Sequence, residues 1–383
     1  MSRPPAILFT AFEPSGDALA APVIAQLRQH RPDLDIWAMG GPKMADAGAE
    51  LIQITTEHAA MGAAAVGQVL EHYRRMNMLR IWLGEYRPIA LVPVDSPAAN
   101  WPICKLVRKR LPASKIIHLA APQLWAWASW RIRKMRRLSD HVLCLLPFEP
   151  DWFKQRDMPA TFVGHPLFDA SHETTGNAGE SLPEGQPRVA LLPGSRSAEV
   201  KANWATMCRA IERVRASHPD MAVAVAAANA RVAEAIRQDK ATAHLGAHEV
   251  VVDRTPEVLN WSDAALVVSG TATLLTARHR KPMVAMYNVD RWTWRLVGRW
   301  LIRTRTFTLP NLIAEHAGRE RICPEFVPHF ANPAPIAEAF ERLLTDAEER
   351  QRQVEAMDWL ASRYAEGDFA ERATRMLLEK CGG

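Results

Sequence analysis

Short apolar runs recur along this chain with just enough sequence between them for one amphipathic helix, and that alternation restricts it to open, mostly parallel sheets covered by helices. The first runs are Ala6 to Thr10, Asp35 to Met39, Ile89 to Val94, Lys115 to Leu119 and His141 to Leu145. After the first comes a turn, Phe12-Glu13-Pro14-Ser15-Gly16-Asp17, and then Leu19, Val23, Ile24 and Leu27 on the 3.6-residue period of a helix. A stretch without periodicity, Ser171 to Pro187, is rich in Gly, Ser, Pro, Glu and Thr and reads as a linker. The rhythm then restarts at Val189 to Leu192, with further strands expected at Ala222 to Ala226, Glu249 to Val252, Ala264 to Val268 and Met283 to Met286. The expected fold is α/β: two doubly wound, Rossmann-like domains facing a cleft. They span residues 1–170 and 188–345, joined by the linker 171–187 and followed by a helical tail, 346–383.

Composition supports a globular chain. Of 383 residues, 48% are hydrophobic, enough for two cores. The longest weakly polar stretch, Ala59 to Leu70, falls short of the roughly 18 apolar residues that span a bilayer. No apolar signal core follows Met1, so a cytoplasmic protein is expected. Cys104, Cys144, Cys208, Cys323 and Cys381 are scattered and odd in number, which suits buried thiols rather than a disulfide framework or a zinc site.

Net charge is only +5, but the basic residues cluster. Arg131, Arg133, Lys134, Arg136 and Arg137 fall within seven positions, and Arg291, Arg295, Arg299 and Arg303 recur every fourth residue. At about 100° per residue the latter four share one helix stripe, interleaved with Trp292, Trp294 and Trp300. Such a stripe suits an anionic membrane surface, where headgroups meet acyl chains; a solvated helix face is the competing reading. Nucleic acid is not indicated, because no recognisable binding module accompanies the charge.

Two passages in the second half carry the chemistry: Leu191-Leu192-Pro193-Gly194-Ser195-Arg196 and Val267-Val268-Ser269-Gly270-Thr271-Ala272-Thr273. Each is an apolar run ending in a small-residue turn that opens a helix, where unpaired backbone N–H groups form a seat for phosphate. With Arg196, the pair reads as a nucleotide diphosphate site; either turn alone is also ordinary strand-to-helix chemistry. In the first half, Asp95 follows the run Ile89 to Val94, and Glu13, Ser15 and Asp17 follow the first run, so all four are placed where parallel sheets bind ligands. A carboxylate opposite a diphosphate suits a transfer reaction in which it takes a proton from an acceptor hydroxyl; Asp95 also fits a simple turn or cap.

In consistent order from about Pro5 to Pro328, the motifs resemble the lipid-A-disaccharide synthase family, inverting glycosyltransferases of the GT-B type. They include Glu13-Pro14-Ser15-Gly16-Asp17, Gly40-Gly41-Pro42-Lys43-Met44, Met61-Gly62 and Val94-Asp95-Ser96-Pro97. Further along come His118 with Pro122-Gln123-Leu124-Trp125-Ala126-Trp127, Leu146-Pro147-Phe148-Glu149, Val163-Gly164-His165-Pro166 and Leu192-Pro193-Gly194-Ser195-Arg196. The last are Ser269-Gly270-Thr271-Ala272-Thr273-Leu274 and Leu309-Pro310-Asn311-Leu312-Ile313.

The resemblance implies transfer from an acylated UDP-glucosamine donor to an acylated glucosamine phosphate acceptor, with UDP released, at the cytoplasmic side of the inner membrane and without metal or other cofactor. Carried over by position, Asp95 is the base or an acceptor-orienting carboxylate. Gly194, Ser195, Arg196, Ser269, Gly270, Thr271, Asn311 and Glu325 line the UDP side, while Glu13, Ser15 and Asp17 shape the floor. Arg291, Arg295, Arg299, Arg303, Trp292 and Trp300 become membrane contacts. His118, His165 and Glu149 receive no chemistry, and Trp125 and Trp127 read as packing residues.

The chain departs from the family pattern at Phe12, usually Gly, at Ala98 and Ala99, usually Asp-Phe, and at Pro328, commonly Gln. It also carries Leu275 where the family places Glu for the ribose hydroxyls. These departures leave open a diverged paralogue acting on another UDP-sugar, epimerase-like chemistry included, or a non-catalytic sugar-nucleotide or lipid binder.

Overall fold

The computed structural model describes residues 4–56, 65–126, 128–169, 182–289, 306–365 and 367–382. Met61, Gly62, Trp127, most of the linker and the whole stripe of Arg291, Trp292, Trp294, Arg295, Arg299, Trp300 and Arg303 lie outside the described residues. The chain divides into two compact units, Met1–Asp169 with Glu366–Gly383, and Ala170–Ala365.

In the first unit, strands β1 (Ala6–Thr10), β2 (Asp35–Gly40), β3 (Glu50–Ile54), β4 (Ala90–Pro93), β5 (Lys115–Leu119), β6 (His141–Cys144) and β7 (Ala160–Phe162) form one sheet in the order β3-β2-β1-β4-β5-β6-β7. Every pairing in it is parallel. Parallel strands need crossovers, and helices α1 (Pro14–His30), α2 (Pro42–Asp46), α3 (Ala65–Glu85), α4 (Pro97–Arg110), α5 (Ile132–Leu138) and α6 (Glu149–Lys154) supply them. Because both faces are covered, the central strands β1 and β4 are buried along their whole length and almost entirely apolar. Ile7 and Phe9 point into one core with Val23, Ile24 and Leu27 of α1, while Leu8 points into the other with Leu91, Trp101 and Val107.

The second unit repeats the plan. Strands β8 (Arg188–Leu192), β9 (Ala222–Ala227), β10 (Glu249–Val252), β11 (Ala264–Val268), β12 (Met283–Met286) and β13 (Glu325–Phe326) are ordered β10-β9-β8-β11-β12-β13, again all parallel. The helices are α7 (Ser197–Arg215), α8 (Ala230–Gln238), α9 (Thr255–Trp261), α10 (Thr271–Arg278), α11 (Leu309–His316), α12 (Ala334–Thr345) and α13 (Ala347–Ser362). Fully buried Trp204, Met207 and Ile211 of α7 pack with Val189, Leu191 and Val223 of the sheet and Ile336 and Phe340 of α12.

Each unit is thus a doubly wound, Rossmann-like α/β layer structure. The expected strands recur within about one residue of the observed limits, and the sequence reading missed only β3, β7 and β13. Strand β3 is exposed at both ends, and β7 and β13 hold three and two residues, too few for a period to show.

The tail also divides differently from the expected single segment. Helix α13 stays with the second unit, but α14 (Phe369–Cys381) belongs to the first, where Phe369, Ala370, Ala373 and Leu377 join the core under α1. Asp169 accepts a hydrogen bond from Phe369 N–H at 3.0 Å, and Arg372 donates to the Phe162 carbonyl at 2.9 Å. Among the described residues no helix is long and apolar enough to cross a membrane.

Phe369 is wholly buried. Phe369→Ala is expected to lower unfolding free energy by about 3–5 kcal/mol, read from urea titration of the full chain; a loss under about 1 kcal/mol would show that α14 contributes little to the first core.

Candidate active site

In a doubly wound sheet the loops after two adjacent strands part where strand order reverses, leaving a crevice beyond the carboxyl ends. The order places that reversal between β1 and β4 in the first unit and between β8 and β11 in the second. The sequence-derived candidates fall on those loops: Glu13, Ser15 and Asp17 after β1, Asp95 after β4, Gly194 to Arg196 after β8, and Ser269 to Thr271 after β11.

At the first reversal, Asp95 and Ser96 both occupy the left-handed region, with φ of 44° and 33°. For non-glycine residues this conformation is strained and persists only where neighbours hold it. Asn100, fully buried in the first turns of α4, donates from Nδ2 to the carbonyls of Val94 and Asp95, both at 2.9 Å. Its Oδ1 in turn accepts from Thr10 Oγ1 at 2.7 Å, tying the turn to the end of β1. Asp95 N–H donates to the Leu119 carbonyl at 3.1 Å, and Ser96 Oγ donates to Glu13 Oε1 at 3.3 Å across the reversal. Half-buried Asp95 is therefore held on a rigid, over-determined turn beside Glu13. Sequence reasoning missed Asn100; an amide three residues after Pro97 in an otherwise apolar helix start was the available signal.

Asp17, placed on the cleft floor by the resemblance, is turned into its own unit. It is buried, and its carboxylate accepts from the N–H groups of Gly41, Lys43 and Met44 at 3.0, 3.1 and 3.0 Å, capping α2. Ser15 is exposed in the first turn of α1.

At the second reversal, Ser195, Arg196, Gly270 and Thr271 are exposed. Gly194 has φ of +102°, and a Cβ there would lie 2.8 Å from Glu199 Oε2. That contact reveals what the sequence reading overlooked. Glu199 accepts from Ser195 N–H and Arg196 N–H at 3.2 and 3.3 Å and pairs with the Arg196 guanidinium at 3.1 Å. The expected phosphate seat is thus shaped by an internal carboxylate in the first turn of α7; Glu three residues after the cap position is its sequence mark. Glu199 and Arg196 also act on Tyr287 just after β12, where burial foremost, then the Glu199 charge, push the phenol up while Arg196 opposes them. Gly270, at φ +155°, keeps open space where a side chain would stand at the start of α10.

Ser269, Asn311 and Glu325 build the neighbouring loop. Ser269 Oγ donates to the Phe307 carbonyl at 3.2 Å. The Glu325 carboxylate accepts from Phe307 N–H at 3.1 Å, Thr308 N–H at 3.0 Å, Thr308 Oγ1 at 2.9 Å and Asn311 Nδ2 at 3.1 Å. Asn311 Oδ1 accepts from the N–H groups of Ile322 and Cys323 at 2.8 and 3.0 Å. With Asn311 fully buried and the Glu325 side chain 2% exposed, both fix loops rather than line the surface. Leu275 is half-buried one helical turn below Thr271.

Trp125 is a packing residue, edge-on to Phe148 at 5.1 Å, and its indole donates to Glu149 Oε1 at 3.0 Å. His165 Nδ1 accepts from Leu167 N–H at 3.1 Å and shapes its loop. Burial lowers His118 to about 4, so it is neutral.

Two doubly wound lobes, one with a carboxylate and the other with small-residue turns and an arginine at the strand reversal, define a GT-B-like sugar-nucleotide enzyme. The family model described as lipid-A-disaccharide synthetase matches residues 7–379. A lipid-A-disaccharide synthase of Myxococcus xanthus is 33% identical over 99% of this chain and 98% of its own length, and one of Anaeromyxobacter dehalogenans is 34% identical over 92% and 91%. Among solved structures, the Staphylococcus aureus MnaA–UDP complex aligns with a TM-score of 0.66 at 12% identity, covering 98% of this chain and 96% of that one. A UDP-N-acetylglucosamine 2-epimerase structure from Listeria monocytogenes, described as putative, aligns at 0.65 and 14%, covering 100% and 97%. These two likenesses carry the fold. The chain belongs to the lipid-A-disaccharide synthetase family, and it is a UDP-sugar-dependent glycosyltransferase.

Asp17→Ala strips three N–H groups of one acceptor and is expected to cost about 2–4 kcal/mol of stability. Ser15→Ala, at an exposed position, is expected to stay within about 0.5 kcal/mol. Equal melting shifts for the two variants would contradict the division of roles between them.

Proposed function

We propose that the chain joins UDP-2,3-diacylglucosamine to 2,3-diacylglucosamine 1-phosphate, forming the β-1,6-linked disaccharide and releasing UDP. The observation that carries this reading is Asp95 on a strained, locked turn at one strand reversal, matched by the Gly194–Arg196 and Ser269–Thr271 turns at the other. The acceptor belongs to the first unit, beside Asp95, Glu13 and Ser15. The donor diphosphate belongs to the second, against the start of α10 and the Arg196 guanidinium, with Tyr287 beside it.

In this mechanism the acceptor 6-hydroxyl oxygen attacks the anomeric carbon as the bond to the diphosphate oxygen breaks. The hydroxyl proton passes to the Asp95 carboxylate, and UDP leaves with the bonding electron pair. Attack on the face opposite UDP inverts the anomeric centre. Charge growing on the diphosphate is met by Arg196 and by backbone N–H groups at the start of α10. Holding Asp95 in a fixed turn serves the reaction because a base that needs no reorganisation loses little orientation entropy at the transition state.

Acylated donor and acceptor both reside in a lipid layer, so the site of action is the cytoplasmic face of the inner membrane, with the protein bound peripherally.

Purified protein mixed with both acylated precursors is expected to release UDP. Asp95→Asn should slow release by about 10²–10⁴-fold, the usual worth of a general base. Arg196→Ala should lower kcat/KM for the donor by about 10- to 100-fold, as loss of a charged hydrogen bond implies. Full activity in Asp95→Asn removes the base assignment, and consumption of a UDP-sugar without acceptor would point to an epimerase-like reaction instead.

A further inference from the structure

Of the two turns expected to seat phosphate, the one that opens α7 is already filled, and by a residue of its own helix. Glu199 Oε2 accepts from Ser195 N–H at 3.2 Å and Arg196 N–H at 3.3 Å, two backbone donors that the turn could otherwise offer a phosphate. Gly194 makes this approach possible, since a Cβ at that position would lie 2.8 Å from Oε2 and 3.1 Å from the Glu199 Cβ. The start of α10 is built the other way: Gly270 supplies no side-chain cap and leaves open space before Thr271. The α10 turn therefore offers backbone donors, and the α7 turn offers a side chain, the Arg196 guanidinium.

The second oxygen of the same carboxylate holds that guanidinium. Glu199 Oε1 accepts from Arg196 Nη1 at 3.1 Å. The two partners differ in freedom, because the Glu199 side chain is 17% exposed and that of Arg196 69%. Backbone donors fix the carboxylate, whereas an arginine this exposed would, left alone, spread over many rotamers. An ion pair so open to solvent contributes little to stability. Its effect is to narrow where the guanidinium points.

The carboxylate itself stands on a firm base. One turn further along α7, fully buried Asn203 donates from Nδ2 to the Glu199 carbonyl at 2.8 Å, and its Oδ1 accepts from Asn288 N–H, just after β12, at 2.8 Å. Asn288 Nδ2 donates in return to the Ala202 carbonyl at 3.3 Å. His329, after β13, completes the tie. Burial lowers it to about 4, which keeps the ring neutral. Its Nδ1 accepts from Ala331 N–H at 3.0 Å, so the ring proton sits on Nε2, which donates to Asn203 Oδ1 at 3.1 Å. The first two turns of α7 are thereby locked to the loops after β12 and β13, and Glu199 is a fixed point from which Arg196 is aimed.

We propose that Glu199 is a positioning residue for the donor: it takes the backbone donors of the α7 turn out of phosphate binding and presents the Arg196 guanidinium, already ordered, to the leaving diphosphate. The inference rests on Arg196 meeting the donor diphosphate. A guanidinium ordered before the donor arrives loses less rotamer freedom on binding it, and charge developing on the leaving group meets a cation that need not reorganise.

The test is a double-mutant cycle on the full chain with both acylated precursors, following initial rates of UDP release as donor and acceptor are varied in turn. Glu199→Gln keeps an amide oxygen for the Ser195 and Arg196 N–H groups but loses the charge that holds the guanidinium. It is expected to lower kcat/KM for the donor about three- to tenfold, with the acceptor KM unchanged and the melting temperature within about 2 °C of wild type. In the Arg196→Ala background the same substitution should cost nothing further, because no guanidinium is left to aim. An equal loss in both backgrounds, which a folding lesion alone would give, overturns the proposal; so does an unchanged or increased donor kcat/KM in Glu199→Gln. Full donor kcat/KM in Arg196→Ala alone would instead remove the donor assignment beneath it, so the two failures are told apart.

Discussion

Both units depend on one geometric constraint: in a parallel sheet wound in two directions from its middle, the chain must leave adjacent central strands toward opposite faces. The pairs β1/β4 and β8/β11 meet this condition, and the loops at their carboxyl ends lie where a doubly wound sheet opens a crevice. Helix starts therefore open onto the reversal from two sides. Residues of quite ordinary type, a serine, a glycine, an aspartate, acquire chemistry there because they sit on loops at the strand ends where helices begin, held in place by neighbouring elements.

What makes the reversals rigid is a set of buried polar side chains facing backbone rather than substrate. Asn100 spans Val94, Asp95 and Thr10; Asp17 caps α2; Asn311 and Glu325 pin the chain at 307–308 and 322–323; Glu199 draws the turn at 194–196 closed. Each satisfies groups that would otherwise be costly inside a protein. The residues left facing outward, Ser195, Arg196, Gly270 and Thr271, are small or flexible and sit on this frame.

Much of this was legible in the residues alone. A strand buried on both faces reads as a nearly unbroken apolar run, which is why Ala6 to Thr10 and Ala264 to Val268 were placed at their observed limits. Turns opening helices were equally plain at Gly194 and Gly270. The roles of individual polar residues were less so, because a carboxylate that binds a ligand and one that binds a backbone have the same letter. Asp17, Asn311 and Glu325 occupy the expected loops yet point into them. Asn100 and Glu199 were passed over because their partners are main-chain atoms, which carry no sequence signature. Glu149 stood in a recognised motif, but its burial and its tie to Trp125 depend on two loops meeting, a fact of topology rather than of pattern.

The return of α14 to the first unit imposes an order on assembly. The second unit is continuous in the chain and holds all its strands and helices once residue 365 has been made. The first unit, although its strands are translated earlier, lacks Phe369, Ala373 and Leu377 until the segment after residue 365 emerges. On the ribosome the amino-terminal lobe consequently waits, with the face of α1 uncovered, for a helix translated only after the whole of the second unit.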